Sequence, residues 1–138
     1  MKPDGAMAVT EPQKTLKEIP GSGMSGNEMA GAMAELAVHY WKLCAAFERE
    51  LAFVPDSRLQ SGEATLRFAR RKLDSILDRH AMRVVTFDGE PWSPALPASP
   101  INPDDIDTPD AIVDATIEPT IMGPGGPMIA GKILLRNA

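Results

Sequence analysis

Apolar residues recur at Met29, Met33, Leu36, Tyr40, Leu43 and Phe47, in steps of 4-3-4-3-4. That is a heptad seam, and it predicts a helix from about Asn27 to Phe53. Asn27 suits the N-cap, with Glu28 in the first turn where the helix dipole favours an acid. Ala30, Ala34, Ala37, Ala45 and Ala46 widen the apolar face, so the helix offers two contact surfaces, as a bundle helix does. Pro55 ends it, and Ser57 with Gln60 forms a capping box that predicts a second helix running to about His80. Its seam is Leu66, Ala69, Leu73, Ile76 and His80, with Arg67, Arg70, Arg71, Lys72, Asp74, Asp78 and Arg79 on the solvated side. Gly62 is a weak spot that costs about 1 kcal/mol against Ala.

From Ala81 the pattern changes. Met82 to Phe87 reads as a strand, residues 88–110 as turns, and Ala111 to Met122 as a strand interrupted at Pro119. Gly123 to Pro127 reads as a tight turn, and Met128 to Arg136 as the last strand. Residues 1–25 show no periodicity and read as a disordered tail. The fold class is therefore α+β: a two-helix unit over 26–81, then a small antiparallel β domain over 82–138. One hairpin buries little by itself. Dimerisation into a four-helix bundle is the economical remedy, with Met33, Leu36, Tyr40, Leu43, Phe47, Leu66, Leu73 and Ile76 as the expected interface. Coverage of the seam by the C-terminal module is the alternative.

Charge sharpens this picture. Residues 83–138 hold 3 cations and 8 acids, 3 − 8 = −5, which equals the net charge of the whole chain. Such a surface repels phosphate backbones, so nucleic acid is not an expected partner. No apolar run approaches the roughly 18 residues of a membrane span, and the N-terminus has no apolar block of signal-peptide type. A cytoplasmic location is the expectation, without membrane association. Cys44 is the single cysteine, so no intramolecular disulfide forms.

Candidate chemistry is sparse. His39, Cys44 and His80 lack the spacing and the further ligands of a metal site. Asp104, Asp105, Asp107 and Asp110 crowd one loop but lack the glycine and terminal glutamate of a calcium loop. The glycines at 123–126 lack the Lys-Ser/Thr of a phosphate loop. No Ser-His-Asp set or Cys-His pair stands out, although sequence spacing does not reveal a spatial site. No catalysis, metal or cofactor is expected.

Several short motifs, in order, resemble the GrpE family of nucleotide exchange factors. Phe47-Glu48-Arg49-Glu50-Leu51 is similar to its hydrophobic-Glu-Arg-x-Leu signature, and Ser61-Gly62-Glu63-Ala64-Thr65-Leu66 to its glycine-led helix opening. Leu77 to Val85 resembles its passage from helix to first strand. Gly89-Glu90-Pro91-Trp92-Ser93-Pro94 resembles its glycine, aromatic, Asp-Pro turn, with Ser93 where the family has Asp. Gly131-Lys132-Ile133-Leu134-Leu135-Arg136-Asn137-Ala138 is similar to its closing Gly-Arg-x-Leu-Arg-Pro-Ala. Residues 1–25 do not supply the family's long N-terminal paired helix. The resemblance implies a homodimer whose β domains hold the ATPase domain of a DnaK-type chaperone open and release ADP. Arg136 matches the arginine of the closing motif. Trp92, Lys132 and Arg136 are the candidate partner-binding residues, with a core role for Trp92 as the alternative. A dimeric structural or adaptor module unrelated to chaperones is the competing reading.

Overall fold

The computed structural model describes residues 25–107 and 109–138. The reading of residues 1–25 as a tail lies, apart from Ser25, outside the described residues. Met33–Ala138 forms one compact unit, to which the described residues before Met33 do not belong.

Two helices open the described chain, α1 at Gly26–Leu51 and α2 at Asp56–Asp78. The start of α1 is fixed by Ser25 rather than Asn27. The Glu28 amide donates to Ser25 Oγ at 3.1 Å, and the Ser25 amide donates to Glu28 Oε1 at 2.9 Å, a reciprocal capping box. The expected box at Ser57 and Gln60 does not form. Pro55, at φ −58° and ψ 148°, precedes the helix, and no side chain caps it. The Arg58 and Leu59 amides instead donate to the Pro55 carbonyl at 2.8 and 3.0 Å, so Ser57 falls inside the first turn. The far end of α2 closes in a Schellman motif. The Met82 amide donates to the Leu77 carbonyl at 3.0 Å and the Ala81 amide to that of Asp78 at 3.1 Å. Ala81 takes φ 58° to allow it. His80 therefore sits in an exposed turn and not on the helix seam.

Six short strands follow: β1 Arg83–Val85, β2 Ala98–Pro100, β3 Ala111–Glu118, β4 Thr120–Gly123, β5 Gly126–Ile129 and β6 Gly131–Asn137. The stretch 88–110, expected to be all turns, holds the strand β2, which pairs with β6, and a 3-10 turn at Pro103–Asp105. The strands form two three-stranded sheets, ordered β1-β4-β5 and β2-β6-β3. Both expected long strands are split between the sheets. Pro119 lacks the amide that would continue a ladder, so β3 and β4 part there; Ala130 separates β5 from β6. The β unit is not wholly antiparallel, because β2 runs parallel to β6, pairing Ala98 with Gly131 and Pro100 with Ile133. The long turn-rich connection from β2 makes this geometry reachable.

Three apolar clusters hold these elements. Ala34, Ala37 and Val38 of α1 and Leu73 and Leu77 of α2 pack with Met82 and Ile121, so the hairpin and the first sheet share a core. Phe87, Ala98, Ala111, Val113, Ile133 and Leu135 fill the second sheet. Cys44, Leu51 and Leu66 lock the helices nearer their connection. Leu77, Ile121 and Ile133 are fully enclosed, and each full burial of such a side chain is worth about 1.5–3 kcal/mol.

Candidate functional site

The hairpin buries the alanine side of α1 and leaves part of its leucine seam in solvent. Ala34 and Ala37 are 0% and 2% exposed, whereas Leu36 and Leu43 are each 71% exposed. The small side chains on this side pack in one cluster with Ile121 of the first sheet. The larger ones two or three positions away project elsewhere on a helix with 3.6 residues per turn. Leu43 and Phe47 line an apolar groove of about 320 Å³, together with Tyr40 and Cys44 from α1 and Leu66 and Ala69 from α2. The Tyr40 hydroxyl is fixed by donating to the Ala69 carbonyl at 2.9 Å. Burial pushes the Cys44 thiol above its ordinary range, which keeps it protonated and unreactive.

Of the eight residues expected at a dimer interface, Leu36, Leu43 and Phe47 are exposed, and Met33, Tyr40 and Ile76 are half-buried. Leu66 and Leu73 are buried inside the chain's own core. The alternative covering of the seam by the C-terminal module is met in part: Ile121 and Met82 cover the alanine side, not Leu36 or Leu43.

The candidate partner-binding residues lie apart from this groove. Trp92 is half-buried against the second sheet's core, and its amide donates to the Ala111 carbonyl at 2.8 Å. Lys132 and Arg136 project from β6 and pair with acids of β3: Lys132 Nζ is 3.8 Å from Glu118 and Arg136 Nε is 3.3 Å from Asp114. Both cations are thus engaged by the neighbouring strand of their own sheet. The register explains it, because β3 and β6 lie side by side with Ile112 opposite Arg136 and Glu118 opposite Lys132.

Glu118 also receives the Lys42 ammonium from α1 at 2.7 Å. This hydrogen bond, with the charges of Lys132, Lys42 and His39 behind it, holds the Glu118 carboxyl below its usual range against the opposing effect of burial. Sequence spacing gave no sign of this link across 76 positions. A second structural device is Asn102, whose side-chain amide exchanges two hydrogen bonds with the backbone of Leu135 at 2.8 and 2.9 Å. It extends the ladder of β6 past the end of β2.

Among the described residues no three His, Cys, Asp or Glu side chains are grouped to hold a metal ion, and no helix is long and apolar enough to cross a membrane. The chain matches no protein-family model, no curated protein and no solved structure.

Proposed function

We propose that this chain is a non-catalytic, homodimeric co-chaperone of GrpE-like design. Its hairpins pair across a two-fold axis into a four-helix bundle, and its β unit meets the ATPase domain of a DnaK-type chaperone to promote ADP release. The observation that carries the reading is the open seam. Leu36 and Leu43 are 71% exposed and Phe47 39%, and Leu43 and Phe47 line an apolar groove on the hairpin. Isologous pairing of two such faces removes them from water at once. The order of a helical hairpin followed by small sheets also agrees with the motif resemblance.

Light scattering at micromolar concentration should give a dimer mass, and Leu43→Asp with Phe47→Asp should give a folded monomer, because pairing would bury unpaired charge. A monomeric wild type overturns the dimer. For the partner, ADP release from a DnaK-type ATPase domain should accelerate with the wild type. It should slow again with Lys132→Ala and Arg136→Ala, which break only exposed ion pairs worth about 0–1 kcal/mol each.

A second reading is a dimeric adaptor unrelated to chaperones. The packing of Trp92 against the second core favours it, since the ring is then a weaker candidate for an interface anchor. Unchanged ADP release beside an intact dimer selects this reading.

A further inference from the structure

The groove at Leu43 and Phe47 belongs to a face that both helices share. Thr65 and Ala69 line it from α2, and Phe68 stands beside them, 64% exposed. The charges around this face divide by helix. On α1, Met33, Leu36, Tyr40, Leu43 and Phe47 make an uncharged stripe. At about 100° per residue, the charges nearest to Tyr40 round the helix are Glu48 and Glu50, each about 80° away. Glu48 is held by Arg70, and Glu50 is exposed. The cations of α1, Lys42 and Arg49, fall about 160° or more from Tyr40. On α2 the division is the reverse. Arg58, Thr65, Lys72 and Arg79 recur every seventh position, so one column on the groove side carries three cations. The acids of the helix, Asp56, Glu63, Asp74 and Asp78, all lie about 120° or more round from Lys72.

We propose that a second copy of this chain covers the face with its two-fold axis parallel to the helices, so that α1 of each protomer lies on α2 of its partner. This rests on the hairpin pairing proposed above and fixes its geometry. Two arrangements bring two such faces together by a two-fold rotation. An axis across the helices lays α1 on α1 and α2 on α2, which sets one column of Arg58, Lys72 and Arg79 against the other, like charge on like. An axis along the helices lays the basic column on the apolar stripe with its acidic margin. The long cationic stems then cover apolar surface while their charges reach the rim. An unrelated acidic helix would leave the apolar stripe unmatched, and an unrelated apolar one would leave the cations unmatched. A second copy supplies both halves at once.

Rotation about an axis along the helices leaves every residue at its own height in the bundle. Phe68, level with Thr65 and Ala69, therefore arrives against the partner's stripe at Leu43 and Phe47, which line the groove at that height. Its burial there removes an exposed ring from water. Glu50 and Arg58 line one hollow near the helix connection, so across the interface each comes level with the opposite charge. Both α2 C-termini, and with them both β units, leave the bundle at the same end.

The test uses the full chain with one nitroxide label per protomer, on Asp56→Cys, Glu63→Cys or Asp74→Cys, three exposed positions on the outer side of α2. Cys44 is buried and stays unlabelled, which the unsubstituted chain verifies when carried through the same labelling. Pulsed electron resonance then measures each separation within the dimer. At about 1.5 Å of rise per residue the three sites span about 27 Å of helix. With the axis along the helices their separations should agree within about 5 Å, because height does not enter. With the axis across them heights are mirrored, no centre makes all three agree, and at least one separation departs by about 10 Å or more. That result overturns the proposal and leaves the dimer standing, whereas a monomeric wild type in light scattering overturns both. Phe68→Asp should raise the dimer dissociation constant by about tenfold or more without changing the helical circular dichroism, since the ring lies outside the chain's own core. Phe68→Ser, expected to raise it by about fivefold, replaces that variant if aspartate perturbs the helix. An unchanged dissociation constant takes the ring out of the partner's groove and overturns the arrangement.

Discussion

Thr120 is 1% exposed, and its hydroxyl is used twice. It donates to the Pro97 carbonyl at 2.7 Å and accepts from the Gly131 amide at 3.0 Å. Thr120 opens β4 in the first sheet, Pro97 precedes β2 and Gly131 opens β6, so one side chain ties the two sheets. Gly131 is required beside it, because a Cβ there would lie 2.5 Å from the Glu118 carbonyl oxygen and 2.8 Å from the Thr120 nitrogen, both backbone atoms. Thr120→Val keeps the shape and removes the hydroxyl, leaving a buried amide and carbonyl without their partner. Urea unfolding should show a loss of about 1–3 kcal/mol, with Thr120→Ser close to wild type. Glu118 supplies a pH dependence. Its carboxyl is held low in the folded chain, first by the Lys42 hydrogen bond. A depressed folded pKa gives stability that is present above the unfolded value of about 4.3 and is lost as pH falls through the folded value. Lys42 is 41% exposed, so the contribution is under about 1 kcal/mol. Glu118→Gln should lower stability at neutral pH and flatten the acid limb of the stability curve. An unchanged acid limb would remove Glu118 from the account.

At the scale of elements, the sequence pattern located the two helices within a few residues, because their apolar spacing and Pro55 are local signals. It also suggested two contact surfaces on α1. It did not reveal which surface the chain covers itself: the alanine side packs on the first sheet, and Leu36 and Leu43 stay out. Side-chain size decides this, and periodicity is blind to it. Apart from β2, which falls in the stretch read as turns, the strands were legible as apolar segments but not as members of two sheets, since the division depends on Pro119, Thr120 and Gly131 meeting Pro97 across the fold. The candidate partner residues were legible as surface cations in β6, but their pairing with β3 follows from register, which sequence spacing does not give. Gly62 reverses its expected role. Propensity alone makes Gly62→Ala a gain of about 1 kcal/mol. Yet a Cβ at this position would lie 2.5 Å from Leu51 Cδ2, so the glycine admits Leu51 between the helices. Gly62→Ala should therefore lower the melting temperature or leave it unchanged. Combined with Leu51→Ala, which removes the clash and costs a cavity, the same change should become stabilising relative to Leu51→Ala alone. Differential scanning calorimetry of the four chains reads this as a coupling between the two sites. Simple additivity with a stabilising Gly62→Ala would restore the propensity argument.

For the molecule from Met33 onward, the two larger apolar clusters follow one another through β1. Val84 packs on the cluster shared by the hairpin and the first sheet, while the next residue, Val85, packs on that of the second sheet. Pro119 and Thr120 are both buried at the join, and Glu118 links β3 to Lys42 of α1. Three independent ties of this kind argue that the hairpin and both sheets unfold together, since opening either cluster exposes apolar surface of its neighbour. The two tryptophans report on opposite ends: Trp41 packs on the first cluster and Trp92 on the second. Single-tryptophan chains, made by Trp41→Phe or Trp92→Phe, should show the same fluorescence midpoint in urea once each variant's own stability is measured by far-ultraviolet circular dichroism. Ile121, at 0% exposure in the first cluster, then provides the perturbation. Ile121→Ala should cost about 2–5 kcal/mol. It should move the Trp92 transition as far as the Trp41 transition, although Trp92 belongs to the other cluster. If the Trp92 midpoint holds still while that of Trp41 falls, the second sheet is an independent folding unit, and the ties through Thr120 and Glu118 are too weak to couple it to the hairpin.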